Sequence, residues 1–269
     1  MHDTVSTPAI SLEHVTKRFK ELTAVDDLTF DVAHGELFAF LGPNGAGKST
    51  TIKMLTTLLR PTAGELRLNG CDVQRDQTRA RHEFGIVFQD TSVDTELTAY
   101  ENMELHAVLY DLKASEIPTR IGELLSLVEL QDRAKSYVKT FSGGMVRRLE
   151  IARGLLHEPS ILFLDEPTLG LDTQTRTLVW NYVRELNRAR GTTVFFSTHY
   201  IEEAEMVAGR IAMIDHGRIV AMGTSDELKS STSTGTLEEA YLALTGTMIR
   251  EERVDANEQW RMRIRGQRR

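Results

Sequence analysis

The sequence predicts an α/β fold with a mainly parallel central sheet, an antiparallel β subdomain at the N-terminus and a helical subdomain inserted in the middle. Three observations carry that expectation. Short apolar runs recur at Leu37–Leu41, Ile161–Leu164 and Thr192–Phe196, the pattern of strands buried on both faces. The first run enters a glycine-rich turn and then helical spacing from Ser49 to Leu59, stopped at Arg60-Pro61. From about Asp90 to His157 strand-like runs are few and helical spacing dominates, with Pro118 and Gly122 as punctuation.

Taken in order, residues 9–41 read as short strands separated by turns, ending in the buried run at Leu37–Leu41. The later runs at Ile161 and Thr192 flank a helical stretch, Thr175–Arg190, ended by Gly191, as in a strand–helix–strand crossover. Ile211–Ile214, His216-Gly217 and Arg218–Val220 read as a hairpin. A connector rich in serine and threonine, Ser230–Thr236, leads to a short helix whose Leu237, Ala240, Tyr241 and Leu244 are spaced to pack on their own domain. The organisation expected is one domain over 1–228, its helical subdomain at about 90–157, followed by a C-terminal helix and a polar basic tail over 229–269. Arg261 to Arg269 hold five arginines and no acid, the composition of a solvated tail or of a contact with anionic lipid headgroups.

A chain of 269 residues, 41% hydrophobic and 26% charged, is long enough for a sizeable core and ordinary for a globular protein. Its net charge of -7 argues against nucleic acid as the main partner. The single cysteine, Cys71, has no partner for an intrachain disulfide, which favours a reducing compartment. No secretory pattern opens the sequence, and no run approaches 18 apolar residues. Work at a membrane would therefore go through a partner.

The chemistry is concentrated in a few motifs. Gly42-Pro43-Asn44-Gly45-Ala46-Gly47-Lys48-Ser49, with Thr50 behind it, is a complete G-x-x-x-x-G-K-[ST] phosphate loop. It sits between a strand and a helix, the context such a match needs, and makes the core a phosphate-loop NTPase. Its glycines let backbone N–H groups aim at phosphate oxygens; Lys48 would reach the β- and γ-phosphates and the Ser49 hydroxyl would bind Mg²⁺. The strand at Ile161 ends in Asp165-Glu166, two carboxylates at the sheet edge where such folds bind ligands. Asp165 would hold Mg²⁺ through water, and Glu166 would act as general base on the attacking water. His199 ends the next strand and could contact the γ-phosphate; Gln89, after Ile86-Val87-Phe88, could touch both Mg²⁺ and the water. Ser142-Gly143-Gly144 opens a helical pattern from Met145 to Leu156. By itself it equals an ordinary N-cap, yet it also offers a second phosphate cradle. One nucleotide needs one such loop, so the pair suggests a nucleotide shared between two chains.

In this order and spacing, the phosphate loop, Gln89, Ser142-Gly143-Gly144, Asp165-Glu166, Gly170-Leu171-Asp172 and His199 resemble the ATP-binding subunit of ABC transporters, from about Ile10 to Leu228. The resemblance implies ATP and Mg²⁺ as ligands and a head-to-tail dimer. Two ATPs would lie between one chain's phosphate loop and the other's Ser142-Gly143-Gly144. It further implies that Phe19 stacks on adenine, that Asp172 lies at the dimer seam, and that Asp90 to about Tyr110 receives a coupling helix from an integral membrane permease. The chain would then work in the cytoplasm, peripheral on the inner face of the membrane. Phe141 and Met145 stand where the family more often has leucine and glutamine, and Phe19 where it more often has tyrosine. Met145 with Arg147-Arg148-Leu149, Leu169-Gly170-Leu171-Asp172 and Thr198-His199-Tyr200 look like the bacterial drug-resistance and nodulation-factor export branch. A soluble ABC ATPase that switches an assembly without transport is the rival reading. A phosphate-loop kinase would leave Ser142-Gly143-Gly144 and His199 unexplained.

Overall fold

A computed structural model describes residues 7–246. The first six residues and the arginine-bearing tail lie outside the described residues. The chain opens with a long ribbon, β1 (Ile10–Phe19) against β2 (Leu22–Val32), antiparallel from Ile10↔Val32 to Phe19↔Leu22. These strands have ten and eleven residues, where the sequence suggested short ones. The reason is local: register shifts interrupt the pairing, and His14 and Asp27 take φ of 52° and 57°. Bulges of this kind break the two-residue alternation that marks a strand while leaving the ladder in place. β4 (Ala63–Leu68) and β5 (Cys71–Asp72) complete a four-stranded antiparallel sheet in the order β2-β1-β4-β5.

The second sheet has six strands, β10-β9-β3-β8-β7-β6. Here β3 (Leu37–Leu41), β6 (Phe84–Val87), β7 (Ile161–Asp165), β8 (Thr193–Thr198) and β9 (Arg210–Asp215) run parallel, and β10 (Arg218–Gly223) is an antiparallel edge. Alternation along these strands divides the core in two. Phe38, Phe40, Phe163 and Phe195 face the antiparallel sheet and join Phe30, with Phe30–Phe38 centroids 5.4 Å apart and Phe38–Phe195 5.5 Å. Each such ring contributes roughly 2–3 kcal/mol through burial. Ala39, Leu41, Leu162, Leu164 and Phe196 face the helices, where Trp180 meets Phe196 at 4.6 Å. Burial on both faces is why these strands read as unbroken apolar runs.

The helices follow. α1 (Lys48–Leu55) stops four residues short of the expected Leu59, because the chain turns at Thr57 with φ 62°. α2 (Gln77–Glu83) precedes β6. The helical subdomain contains α3 (Ala99–Leu109), α4 (Ile117–Leu127) and α5 (Gly143–Gly154). Pro118 and Gly122 do not punctuate it; both lie inside α4. Pro118 occupies the first turn, where no N–H is required. α6 (Thr173–Arg190) ends at Gly191 in the left-handed region, as expected. α7 (Ile201–Val207) follows β8, and His216-Gly217 turns β9 into β10 with positive φ at both residues. α8 (Ser225–Thr232) takes up the first residues of the expected connector, and Leu228 is buried within it. α9 (Leu237–Thr245) is closed by a Thr236–Glu239 capping box and buries Leu237, Ala240 and Tyr241.

Candidate functional site

The carboxyl ends of β3, β7 and β8 meet at one place. The loop from β3 to α1 is pressed against its neighbours: a Cβ on Gly42 would lie 2.3 Å from the Ile214 carbonyl oxygen. Gly47 caps α1 at φ 105°, where a Cβ would come 2.5 Å from the Ala24 carbonyl oxygen. Only glycine satisfies both conditions. Lys48 is 4% exposed; its Nζ donates to the carbonyls of Gly42 (2.8 Å) and Pro43 (3.2 Å) and lies 3.0 Å from Glu166 Oε1.

Asp165 closes β7. It accepts from Ser49 Oγ at 3.1 Å and from Ser197 Oγ, on β8, at 2.6 Å. Glu166 takes φ 47°, a conformation costly for a residue with a side chain, and its N–H donates to Ser197 Oγ at 3.0 Å. Its carboxylate bridges Lys48 through Oε1 and His199 through Oε2, the latter at 2.9 Å from Nδ1. Burial pushes the Glu166 carboxyl up, but the His199 hydrogen bond and the Lys48 charge outweigh it and hold the group below its ordinary value. Burial also acts on Asp165 and there prevails over the Ser197 and Ser49 bonds, so its pKa is raised. Neighbouring carboxyls displaced in opposite directions are a mark of divided chemical labour.

Lys48 and Glu166 open onto a cleft of about 590 Å³ lined also by Phe19, Asn44, Gly45, Gly47, Ser49, Thr50, Gln89 and His199, among others, with Asp165 behind Ser49 rather than in the lining. Gly42, Pro43 and Ala46 build the loop behind it. Phe19, at the end of β1, is 43% exposed with Lys17 Nζ 5.0 Å from its ring centroid. Ser49 and Asp165 present hard oxygens side by side, which fits an octahedral Mg²⁺ that keeps several waters.

Ser142, Gly143, Gly144 and Asp172 do not line this cleft. Ser142 caps α5, accepting from Met145 N at 3.3 Å, as expected, and the helix ends at Gly154, two residues before the expected Leu156. Asp172 caps α6, accepting from Thr175 N at 3.0 Å and Thr175 Oγ1 at 2.6 Å. The two helix starts touch: a Cβ on Gly143 would lie 3.4 Å from Leu171 Cδ2, and one on Gly144 2.2 Å from Thr175 Cγ2.

Two charged groups escape sequence reasoning. Arg147, 7% exposed, donates to the carbonyls of Phe88 (2.6 Å) and Gln89 (3.0 Å) and pairs with Glu150, which accepts from Ser92 N at 2.6 Å. α5 thereby grips the loop that carries Gln89. Glu203, 2% exposed in the first turn of α7, accepts from the hydroxyls of Thr168 and Thr198. The i,i+3 spacing of Arg147 and Glu150 was a visible signal; that both are buried was not.

The model of the ABC transporter family matches residues 25–169. A daunorubicin resistance ATP-binding protein of Streptomyces coeruleorubidus is 45% identical over 83% of this chain and 71% of its own length. A Nod factor export ATP-binding protein of Ralstonia nicotianae is 43% identical over 83% and 69%. Among solved structures, an ATP-binding subunit of an ABC transporter superposes with a TM-score of 0.79 at 31% identity, covering 88% of this chain and 99% of that one. The cassette MJ0796, solved as a dimer after hydrolysis with ADP and Pi, gives 0.72 at 30% identity over 80% and 98%. By its phosphate-loop cleft, by the family model across more than half its length and by these relatives, the chain belongs to the ABC transporter family as an ATP-binding subunit that hydrolyses ATP.

Proposed function

We propose that this chain powers an ABC-type exporter by closing head-to-tail on a second copy of itself around ATP and reopening after hydrolysis. The observation that carries it is the convergence of Lys48, Ser49, Glu166 and His199 on one cleft, with Asp165 bonded to Ser49 behind it and Ser142-Gly143-Gly144 turned elsewhere on the same chain. A cradle that cannot reach its own chain's phosphates can serve a partner's.

The geometry supports these roles. Phe19 offers a ring face for adenine, and the amides from Asn44 to Thr50 receive phosphates. A phosphate reaching Lys48 competes with Glu166 for the same ammonium and releases that carboxylate toward water. Glu166, ionised at neutral pH, takes the proton of the attacking water as its oxygen bonds to the γ-phosphorus and the bond to ADP breaks. His199 holds Glu166 through Nδ1 at the cleft wall beside the phosphates, while Gln89 orients the water. Mg²⁺ held by Ser49 and Gln89 and, through water, by Asp165 would neutralise charge on the phosphates.

The membrane partner has a surface to meet. Within 90–110, Leu105, Val108 and Leu109 of α3 are 55%, 59% and 70% exposed, an apolar face suited to a coupling helix. No helix among the described residues is long and apolar enough to cross a membrane. We infer a chain held on the cytoplasmic face by a permease, with a drug or other small molecule as cargo by analogy with its daunorubicin-resistance and Nod-factor-export relatives. The test is tagged Glu166→Gln, purified with ATP and Mg²⁺ from detergent-solubilised membranes. It is expected to hydrolyse at least ~100-fold more slowly, in line with loss of a general base, and to bring down a polytopic protein in stoichiometric amount. Hydrolysis at the parent rate would defeat the base assignment, and a dimer without a membrane protein would move the function to a soluble switch.

A further inference from the structure

We propose that Glu203 is a positioning residue for ATP hydrolysis, tying the segment after Glu166 and the segment before His199 into one unit anchored on α6. The proposal rests on the roles given above to Glu166 and His199. Glu203 does not line the nucleotide cleft, so it would act only through the residues it holds.

A carboxylate this deeply buried needs donors around it, and those donors define what it fixes. Thr168 donates to Oε1, and Thr198 donates to Oε2 at 2.9 Å. Arg176 Nε stands 3.3 Å from Oε1, an ionic contact without the alignment of a hydrogen bond. Each of these partners belongs to a different piece of the machinery. Thr168 lies two residues beyond Glu166 in a turn in which Leu169 N donates to the Glu166 carbonyl at 3.2 Å. Thr198 immediately precedes His199, and its hydroxyl also accepts from Tyr200 N at 3.0 Å, so Glu203 steadies the backbone on both sides of the histidine. Arg176 is in the first turn of α6, the helix capped by Asp172, and its guanidinium lies 4.1 Å from the centroid of the Tyr200 ring. The Glu166–His199 contact of 2.9 Å therefore spans two segments that one carboxylate already holds together from behind. Burial acts most strongly on the Glu203 carboxyl and raises its pKa, while the Thr168 and Thr198 hydroxyls and the Arg176 charge oppose that shift.

The experiment measures kcat, KM and fluorescent-nucleotide affinity for full-length Glu203→Gln, which keeps the volume but sets an amide N–H₂ where an acceptor is needed. Nucleotide affinity and KM are expected within about twofold of the parent, with kcat down about tenfold or more, the pattern of a lost transition-state interaction. In a His199→Ala background the same substitution should cost less than about twofold, because the contact it supports is already gone. Thr198→Val, which leaves Glu203 paired with Thr168 and Arg176, should reproduce the kcat loss, and Thr198→Ser should restore it; these serve if Glu203→Gln does not fold. Parent kcat in Glu203→Gln and Thr198→Val, or equal losses in both histidine backgrounds, would overturn the proposal. An inactive Glu166→Gln beside a fully active Glu203→Gln would remove the positioning role alone. A Glu166→Gln enzyme working at the parent rate would instead remove the reading on which it rests.

Discussion

Gly144 has a reason to be glycine that is independent of phosphate, and the substitution Gly144→Ala isolates it. The new methyl would stand 2.2 Å from Thr175 Cγ2, where carbon atoms in contact prefer about 3.5–4.0 Å, so more than an ångström must be found. Thr175 cannot simply swing aside. Its χ1 is stiff, and its hydroxyl donates to Asp172 Oδ2 at 2.6 Å. α5 and α6 must part or the α6 cap must break, and overpacking of this kind costs about 1–3 kcal/mol. Alanine returns up to about 1 kcal/mol through helix propensity, less near a helix start. The net expectation is about 1–2 kcal/mol of destabilisation, or roughly 2–8 °C in Tm for a domain of this size. Urea unfolding of the purified chain without nucleotide would read it. Gly143→Ala is the control, since its methyl meets only Leu171 Cδ2 at 3.4 Å. Thr175→Ser removes the obstructing methyl and keeps the hydroxyl on Asp172, so it should rescue Gly144→Ala. A stable Gly144→Ala, or a failure of Thr175→Ser to rescue, would refute the reasoning.

Phe19→Ala should raise KM for ATP by about tenfold with kcat little changed, as stacking contributes about 1–2 kcal/mol, while Phe19→Tyr should match the parent; steady-state kinetics decides. Ser142→Asp should leave the melting temperature unchanged, because aspartate caps a helix as well as serine does, yet abolish the ATP-dependent dimer of Glu166→Gln in gel filtration. His106 and His157 are pushed down to about 4, chiefly by burial. They stay neutral in the folded protein and take a proton near 6.5 only when unfolded, so stability should be full above that pH and fall as pH drops toward 4. His157→Gln keeps a donor for the Phe84 carbonyl, which His157 Nε2 reaches at 2.9 Å, and should flatten the fall in denaturant midpoints between pH 7 and 4.5.

What could be read from the sequence was whatever a single segment states by itself. β3, β7 and β8 announce themselves because both faces are buried, and the phosphate loop because Gly42 and Gly47 are forced by the Ile214 and Ala24 carbonyls pressed against them and Gly45 by its positive φ. The bulged β1–β2 ribbon was legible only in part, since each register shift resets the alternation. Pro118 read as a break because a first helical turn accepts proline as readily as a loop does. The cleft residues were named one by one, but the Lys48–Glu166–His199 chain exists only through long-range geometry. The burial of Glu203 and Arg147 was hidden for the opposite reason: acids and bases on helices usually face water, and nothing local tells a buried one apart.

The paired starts of α5 and α6 show how one surface can divide two tasks. Both carry the partial positive charge of a helix N-terminus, and Ser142, Gly143 and Asp172 are all exposed there. α6 is capped by Asp172, whose bonds to Thr175 hold its carboxyl below the usual range, so a full negative charge already answers that dipole. α5 is capped by a neutral hydroxyl and has no acid in its first turn, so its positive end stays available to an anion. A phosphate brought to this surface by a second chain is drawn to Ser142-Gly143 and repelled a few ångströms away by Asp172. The same electrostatics makes Asp172 suited to donors from a partner rather than to nucleotide. Exchanging Ser142 for aspartate erases the difference between the two helices without disturbing either cap, which is why that single charge should stop closure.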